Sequence, residues 1–162
     1  MSSAPYLLNP IGHVVAEGGR FTLQLTPAMA PGLLALDGFS HVLVLWWAHF
    51  MDEPEQRKQT QVAKPYRRAP DEVGLFATRS PSRPNPIAVT VVPLIGVDVE
   101  RGRVDLGYID AADGTPVLDI KPYHPATDRV REARVPDWCA HWPQAWEDSA
   151  SFDWESELVY ER

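Results

Sequence analysis

The chain has 162 residues, enough for one domain with a real core and too few for two, and its formal charge of -7 argues against a uniformly nucleic-acid-binding surface. Its single cysteine, Cys139, excludes an internal disulfide and a cysteine-built metal centre. No apolar run reaches the roughly 18 residues of a membrane span, and the N-terminus lacks the basic start and apolar core of a signal peptide, so the reading is a soluble, cytoplasmic protein without a metal.

In chain order, "IGHVV" (11–15) and "RFTLQL" (20–25) read as two strands joined by a turn through the glycines of "AEGG". "PAMAPGLLALDGF" (27–39) reads as one short helix, with Pro31 in its first turn and Gly38 at its end. "SHVLVLWWAHF" (40–50) is almost continuously apolar and rich in β-branched and aromatic residues, which predicts a central strand covered on both faces. His49 closes it, either as an ordinary partly buried histidine or as a site residue. The following stretch, "MDEPEQRKQTQVAKPYRRAPDEV" (51–73), shows no periodicity and predicts a long loop, a length usually reserved for function or disorder.

Sixteen prolines across the chain disfavour long helices. Three further strands are expected in "IAVTVVPLIGVDVE" (87–100), "RVDLGYID" (103–110) and "TPVLDIKPY" (115–123), with Pro93 and Gly96 marking an edge, a bulge or a bend. The fold class predicted is mainly β: a single small barrel over 1–125 with short helices, and an extended C-terminal segment over 126–162. That segment carries four of the six tryptophans and mostly acidic charge, with a short helix expected near Pro136 and its aromatic residues laid on the barrel or a partner subunit.

The usual catalytic signatures are missing. There is no glycine-rich dinucleotide or triphosphate loop, no nucleophile elbow, and the five histidines do not fall at zinc spacings. What remains is "GLFATRSPSRPNPIAV" (74–89), where prolines stiffen a loop bearing Arg79 and Arg83 and so suit it to pre-organised contact with a carboxylate or phosphate. Arg83 and Asn85 either staple this loop or meet a ligand, and Asp119, inside a strand, either pairs with an arginine or faces a cationic ligand. Between Arg57 and Arg83 seven basic residues, Arg67 and Arg68 among them, face two acidic ones, a local +5 that leaves -12 elsewhere.

"GLFATRSPSRPNPIAVTVV", "DGTPVLDIKPY" and "FSHVLVLWWAHF" resemble the three long motifs of the TsaA/YaeB-like family, the tRNA-methyltransferase O group, and fall along the chain in the family order. The resemblance runs from Ile11 to Pro125. It implies a small β-barrel working as a homodimer, with S-adenosylmethionine as cofactor and N6-methylation of threonylcarbamoyladenosine beside a tRNA anticodon as the reaction. By motif position it implies cofactor contacts at His49, Phe50, Arg79, Val89, Val117, Leu118, Asp119 and Ile120. The basic 57–83 region would face tRNA, with Arg67, Arg68, Arg83 and Asn85 as substrate contacts. No residue is singled out as a general base.

Three departures from the family pattern stand out. Ala88 replaces a glycine beside Val89, a basic segment after the first strand is missing, and the tail is acidic. They keep two alternatives open: a methyltransferase of the same fold acting on a small molecule, and a non-catalytic module that binds the cofactor.

Overall fold

The computed structural model describes residues 6–159; the first five residues of the stretch read above for a signal peptide, and the last three of the C-terminal segment, lie outside them. Six strands close into an antiparallel barrel in the order β1-β2-β7-β6-β3-β8. These are β1 (Gly12–Glu17), β2 (Arg20–Leu25), β3 (His41–Trp47), β6 (Ile87–Asp98), β7 (Arg103–Leu106) and β8 (Pro116–Pro122). The mainly β, single-barrel expectation therefore holds.

The strands form where the sequence alternates. Val14, Leu23, Val42, Val44, Val92, Val104 and Val117 point inward and are fully buried, and Leu25, Leu33, Leu106 and Ile109 complete the same core. Gly18 and Gly19 have φ of 57° and 75°, the left-handed pair that a two-residue hairpin needs, and they set Glu17 opposite Arg20. β3 is bonded on both sides, through seven residue pairs to β6 and five to β8. Only one of its faces is fully buried: Leu43 and Leu45 on the outer face are half-buried, so the continuous apolar run reflects a wall of the barrel more than a strand sealed on both sides.

Pro93 sits where β6 changes partner. Residues up to Pro93 pair with β3, and from Leu94 onward the strand pairs with β7 through a register shift between Leu94 and Gly96. A proline has no donor to give to a ladder, so it is tolerated at such a handover, and the bulge bends the strand around the barrel.

Two expectations are corrected. The helix predicted over 27–39 is two short 3-10 turns, Ala30–Leu33 and Leu36–Gly38, because Pro31 and Gly32 weaken the first and Ala35 adopts φ 65° between them. The loop over 51–73 is partly ordered: β4 (Gln61–Ala63) and β5 (Glu72–Gly74) make a two-stranded ribbon around Val62 and the buried Val73. Three-residue strands are too short to leave a readable period. Among the described residues no helix is long and apolar enough to cross a membrane.

A Cβ added to Gly12 would lie 2.3 Å from the backbone oxygen of Gln24, whereas one on Gly32 would meet nothing within 4 Å. Gly12→Ala is expected to force β1 and β2 apart and lower stability by about 1–3 kcal/mol, in the range of overpacked interiors. Gly32→Ala should stay within about 0.5 kcal/mol. Urea unfolding of the two variants checks the contrast.

Candidate functional site

The end of β3, the start of β6 and the start of β8 lie at one rim of the barrel, since Trp47 pairs with Ile87 and Trp46 with Val117. Outside that rim is an open cleft of about 1490 Å³. One wall is the turn His49–Met51 with the loop from Phe76 to Arg83. The floor is Trp46, Ala88, Val89 and Thr90, and the connection Tyr108–Ala112 closes one end.

The proline-rich loop is held from both sides. Arg83 donates to the carbonyls of Thr78 and Ser80 and covers the Phe76 ring at 5.6 Å, while the buried Thr78 hydroxyl donates to Leu75 and accepts from the Ser80 backbone. From outside, Arg57 donates to Asp52 and to the Pro84 carbonyl, and the Trp47 indole donates to the same carboxylate. The bond from Arg57, and then that from Trp47, holds the Asp52 carboxyl below its usual range. Arg83 and Arg57 are therefore braces. Asn85 is exposed and its carbonyl accepts from Ile87, closing the turn into β6.

Arg79 is placed differently. It is exposed in the cleft, donates only to the Val89 carbonyl at 2.8 Å, and has no carboxylate within ion-pair reach among the described residues. Beside it His49 packs on Phe50 with ring centres 3.9 Å apart, and its Nδ1 is buried without a hydrogen-bond partner among the described residues. A buried polar atom left unpaired costs stability, and His141 Nδ1 in the strap is in the same state among the described residues. The structure thus brings His49, Phe50, Arg79, Val89 and Arg83 together in one cleft.

The four residues on β8 lie elsewhere. Val117 is in the barrel core, Leu118 is the extra residue of a bulge opposite Leu45 and Trp46, and Ile120 packs against the core. Asp119 pairs with Lys121 at 2.6 Å and raises the lysine's pKa; its other oxygen accepts from the Ile120 backbone. Its partner is thus a lysine on its own strand, not an arginine. Asp113 accepts from the Ala16 backbone and ties the β7–β8 connection to β1. Arg67 and Arg68 are exposed beside Tyr66, which lines the cleft.

The sequence reading missed the opposite wall. After a single turn at Pro125–Asp128 and a 3-10 turn at Asp137–Cys139, where a helix was expected, the chain returns across the cleft as a strap. It is bonded to the loop by Arg67 N to the Glu157 carbonyl, by Val159 N to the Pro65 carbonyl, and by a bridge between Tyr66 and Leu158. Trp138, Trp142 and Trp154 from this strap, with Tyr66, face the cleft. The clustering of tryptophans was readable; their partner Tyr66, about seventy residues earlier, was not.

Glu157 anchors the strap. It is 6% exposed; Oε1 lies 2.9 Å from His141 Nε2, within ion-pair distance but out of hydrogen-bond alignment, and Oε2 accepts from the Trp142 indole at 3.3 Å. The His141 ring beside it holds the Glu157 carboxyl below the usual carboxylate range despite burial, with Trp142 and Arg68 helping.

A closed six-stranded barrel with a cation-bearing, apolar-floored cleft at one rim defines a small ligand-binding β-barrel protein. The sequence pattern described as "tRNA-methyltransferase O N-terminal domain" matches residues 8–129, and the chain belongs to that family. It is 37% identical over 140 residues to an S-adenosyl-L-methionine-binding protein of Archaeoglobus fulgidus, covering 78% of this chain and 95% of that one. Crystal structures of TrmO are similar in fold at 33% identity. One from Pseudomonas aeruginosa has a TM-score of 0.64 over 84% of this chain, and another has 0.63 over 83%. This chain spans 62% of each of those TrmO chains.

Because the folded Glu157 carboxyl is lowered, its contribution is fully present above the unfolded carboxylate range, about pH 4–5, and is lost as pH falls through the lower folded value. Near-ultraviolet circular dichroism of the tryptophan cluster is expected to hold from pH 7 to about 5 and to collapse below. Glu157→Gln should weaken the signal at pH 7 and remove the acid limb.

Proposed function

We propose that this chain is an S-adenosylmethionine-dependent methyltransferase acting on N6 of threonylcarbamoyladenosine in tRNA, in the cytoplasm and as a homodimer. The observation that carries the reading is Arg79: among the described residues a cation without a carboxylate partner, in the family's "TRSP" string, in a cleft that His49 and Phe50 also line. The cleft fits the cofactor chemically. Arg79 offers two parallel donors for an amino-acid carboxylate, and Trp46, His49, Phe50 and Val89 offer ring and apolar surface for an adenine.

When bound, the cofactor supplies an electrophilic methyl group on a sulfonium sulfur. The chain's part is alignment: the braced loop fixes Arg79 and, through it, the carboxylate end the cofactor would present, so the methyl group would face the acceptor with little further ordering, and positioning of this kind accounts for large rate factors. Leu118, Asp119 and Ile120 do not line this cleft, so their assigned contacts require a second subunit to carry them to it; Val117, with no exposed surface, packs in the barrel core instead. Phe50 (68% exposed) and Phe76 (80%) at the mouth, with Ile87 and Val89 beside them, are an apolar surface suited to that contact.

Of the 57–83 basic residues, Arg67 and Arg68 are free to face phosphate, with Arg83 and Asn85 set in the loop behind them; Arg57 is committed to Asp52 and Pro84. A second reading, a small-molecule acceptor, is favoured by the charge of -7.

Calorimetry should show S-adenosylmethionine binding that Arg79→Ala weakens tenfold or more, matching the about 1.5–3 kcal/mol of a charged hydrogen bond. Retention of full affinity in that variant would overturn the site. For the acceptor, tRNA from cells lacking this chain is expected to lose the methylated threonylcarbamoyladenosine by mass spectrometry. An unchanged level would favour the small-molecule reading, and binding without any turnover the non-catalytic one.

The tRNA-facing assignment has its own readout. Arg67→Ala with Arg68→Ala should weaken tRNA binding and lower the slope of log affinity against log salt by about 2, roughly one per lost phosphate contact. Filter binding across salt concentrations measures it.

A further inference from the structure

The family match ends at residue 129, yet the chain beyond it supplies a whole wall of the cleft. Tyr66 and Trp138 lie nearly parallel, 13° apart with centres at 5.5 Å. Trp142 stands edge-on to both, at 4.8 and 5.6 Å, and Trp154 is edge-on to Trp142 at 5.3 Å. These rings are not part of the barrel core and none is fully buried. Edge-to-face packing makes them rigid without hiding them, which is how a pre-formed stacking surface is built.

Three observations tie this wall to the reaction. Burial pushes the Tyr66 phenol up, partly offset by the Arg79 backbone beside its hydroxyl, so the wall abuts the residue assigned to the cofactor. The cleft, at about 1490 Å³, exceeds the roughly 300–1,000 Å³ of a site for one small ligand, and leaves room for a second. The strap side carries acidic groups, Glu147 in the cleft and Glu157 behind it, while Arg67 and Arg68 are exposed next to Tyr66. A flat ring can stack on the wall while phosphate stays at those arginines.

We propose that Tyr66, Trp138, Trp142 and Trp154 form the methyl-acceptor subsite, which takes a planar nucleobase by stacking while its phosphates stay beside Arg67 and Arg68. The proposal rests on the cofactor reading above for the identity of the neighbouring ligand. Its observations lie in the C-terminal strap and in Tyr66.

Equilibrium dialysis of the full chain, saturated with S-adenosylhomocysteine to fill the cofactor place, measures adenosine binding directly. Adenosine 5'-monophosphate should be retained at least as tightly as adenosine. Trp138→Leu should weaken adenosine by roughly 5- to 150-fold, the range of one lost base stack, Trp138→Phe should restore most of it, and S-adenosylmethionine affinity should stay within about twofold in both. Trp154→Leu provides a second variant should the first loosen the strap, which near-ultraviolet circular dichroism reports.

No adenosine retention by the parent protein, unchanged retention in both leucine variants, or weaker binding of the monophosphate would overturn the proposal. Equal losses of adenosine and cofactor would make the wall part of the cofactor pocket, overturning the acceptor assignment and leaving the cofactor reading intact. A parent protein that retains adenosine in a Trp138-dependent way but never binds S-adenosylmethionine would sink the cofactor reading alone.

Discussion

Closure of the barrel through β3 is the constraint on which everything else rests. Bonded to β6 on one side and to β8 on the other, β3 leaves no free edge in the ring. It also fixes which ends meet: the end of β3, the start of β6 and the start of β8 are adjacent because the pairing is antiparallel with matched register. The three connections that build the cleft therefore share a rim, although they lie some sixty residues apart. The partner change at Pro93 belongs to the same solution, since without the bend after it β6 would not reach β7 and the ring would stay open.

On that rim the arginines divide their work by what surrounds them. Arg57 and Arg83 spend their donors on Asp52 and on backbone carbonyls, so they hold the loop's shape. Loop carbonyls beside so many prolines lack their usual ladder partners, and a guanidinium with five donors can satisfy several at once. Arg79 is left with a single internal bond. A loop braced this way loses little freedom on meeting a ligand, which is why a cation that is exposed but fixed suggests binding more strongly than an exposed one on a mobile tip.

How much of this the sequence disclosed depended on the range of the interaction. The barrel strands were legible because inward valines and leucines alternate within a few residues, and the β1–β2 turn because Gly18 and Gly19 adopt a conformation other residues resist. The loop motif marked Arg79, but could not tell it from Arg83: the difference is whether Thr78 and Ser80 or open cleft lies within reach, a fact of three dimensions. Likewise β4 and β5 are held by one another across a turn, and Tyr66 by rings of the strap. For Asp119, sequence reasoning foresaw that a strand carboxylate needs a partner, and its nearest same-face neighbour, Lys121, supplies it.

The strap shows why an acidic, tryptophan-rich tail is compatible with an arginine-bearing site. A buried carboxylate is costly unless its oxygens are engaged, and Glu157 engages His141, Trp142 and, through its backbone, Arg67. Removing His141 or the Trp142 indole leaves the buried carboxylate short of a partner, so the anchor ties the strap to a single seating in a way that hydrophobic contact alone would not. That seating sets four aromatic rings along the cleft next to Arg79, with Arg67 and Arg68 exposed beside Tyr66. Net charge is then a poor guide to the cleft: acidic groups of the strap and exposed cations both border the rings, and a ligand that is flat at one end and anionic at the other meets both kinds of surface.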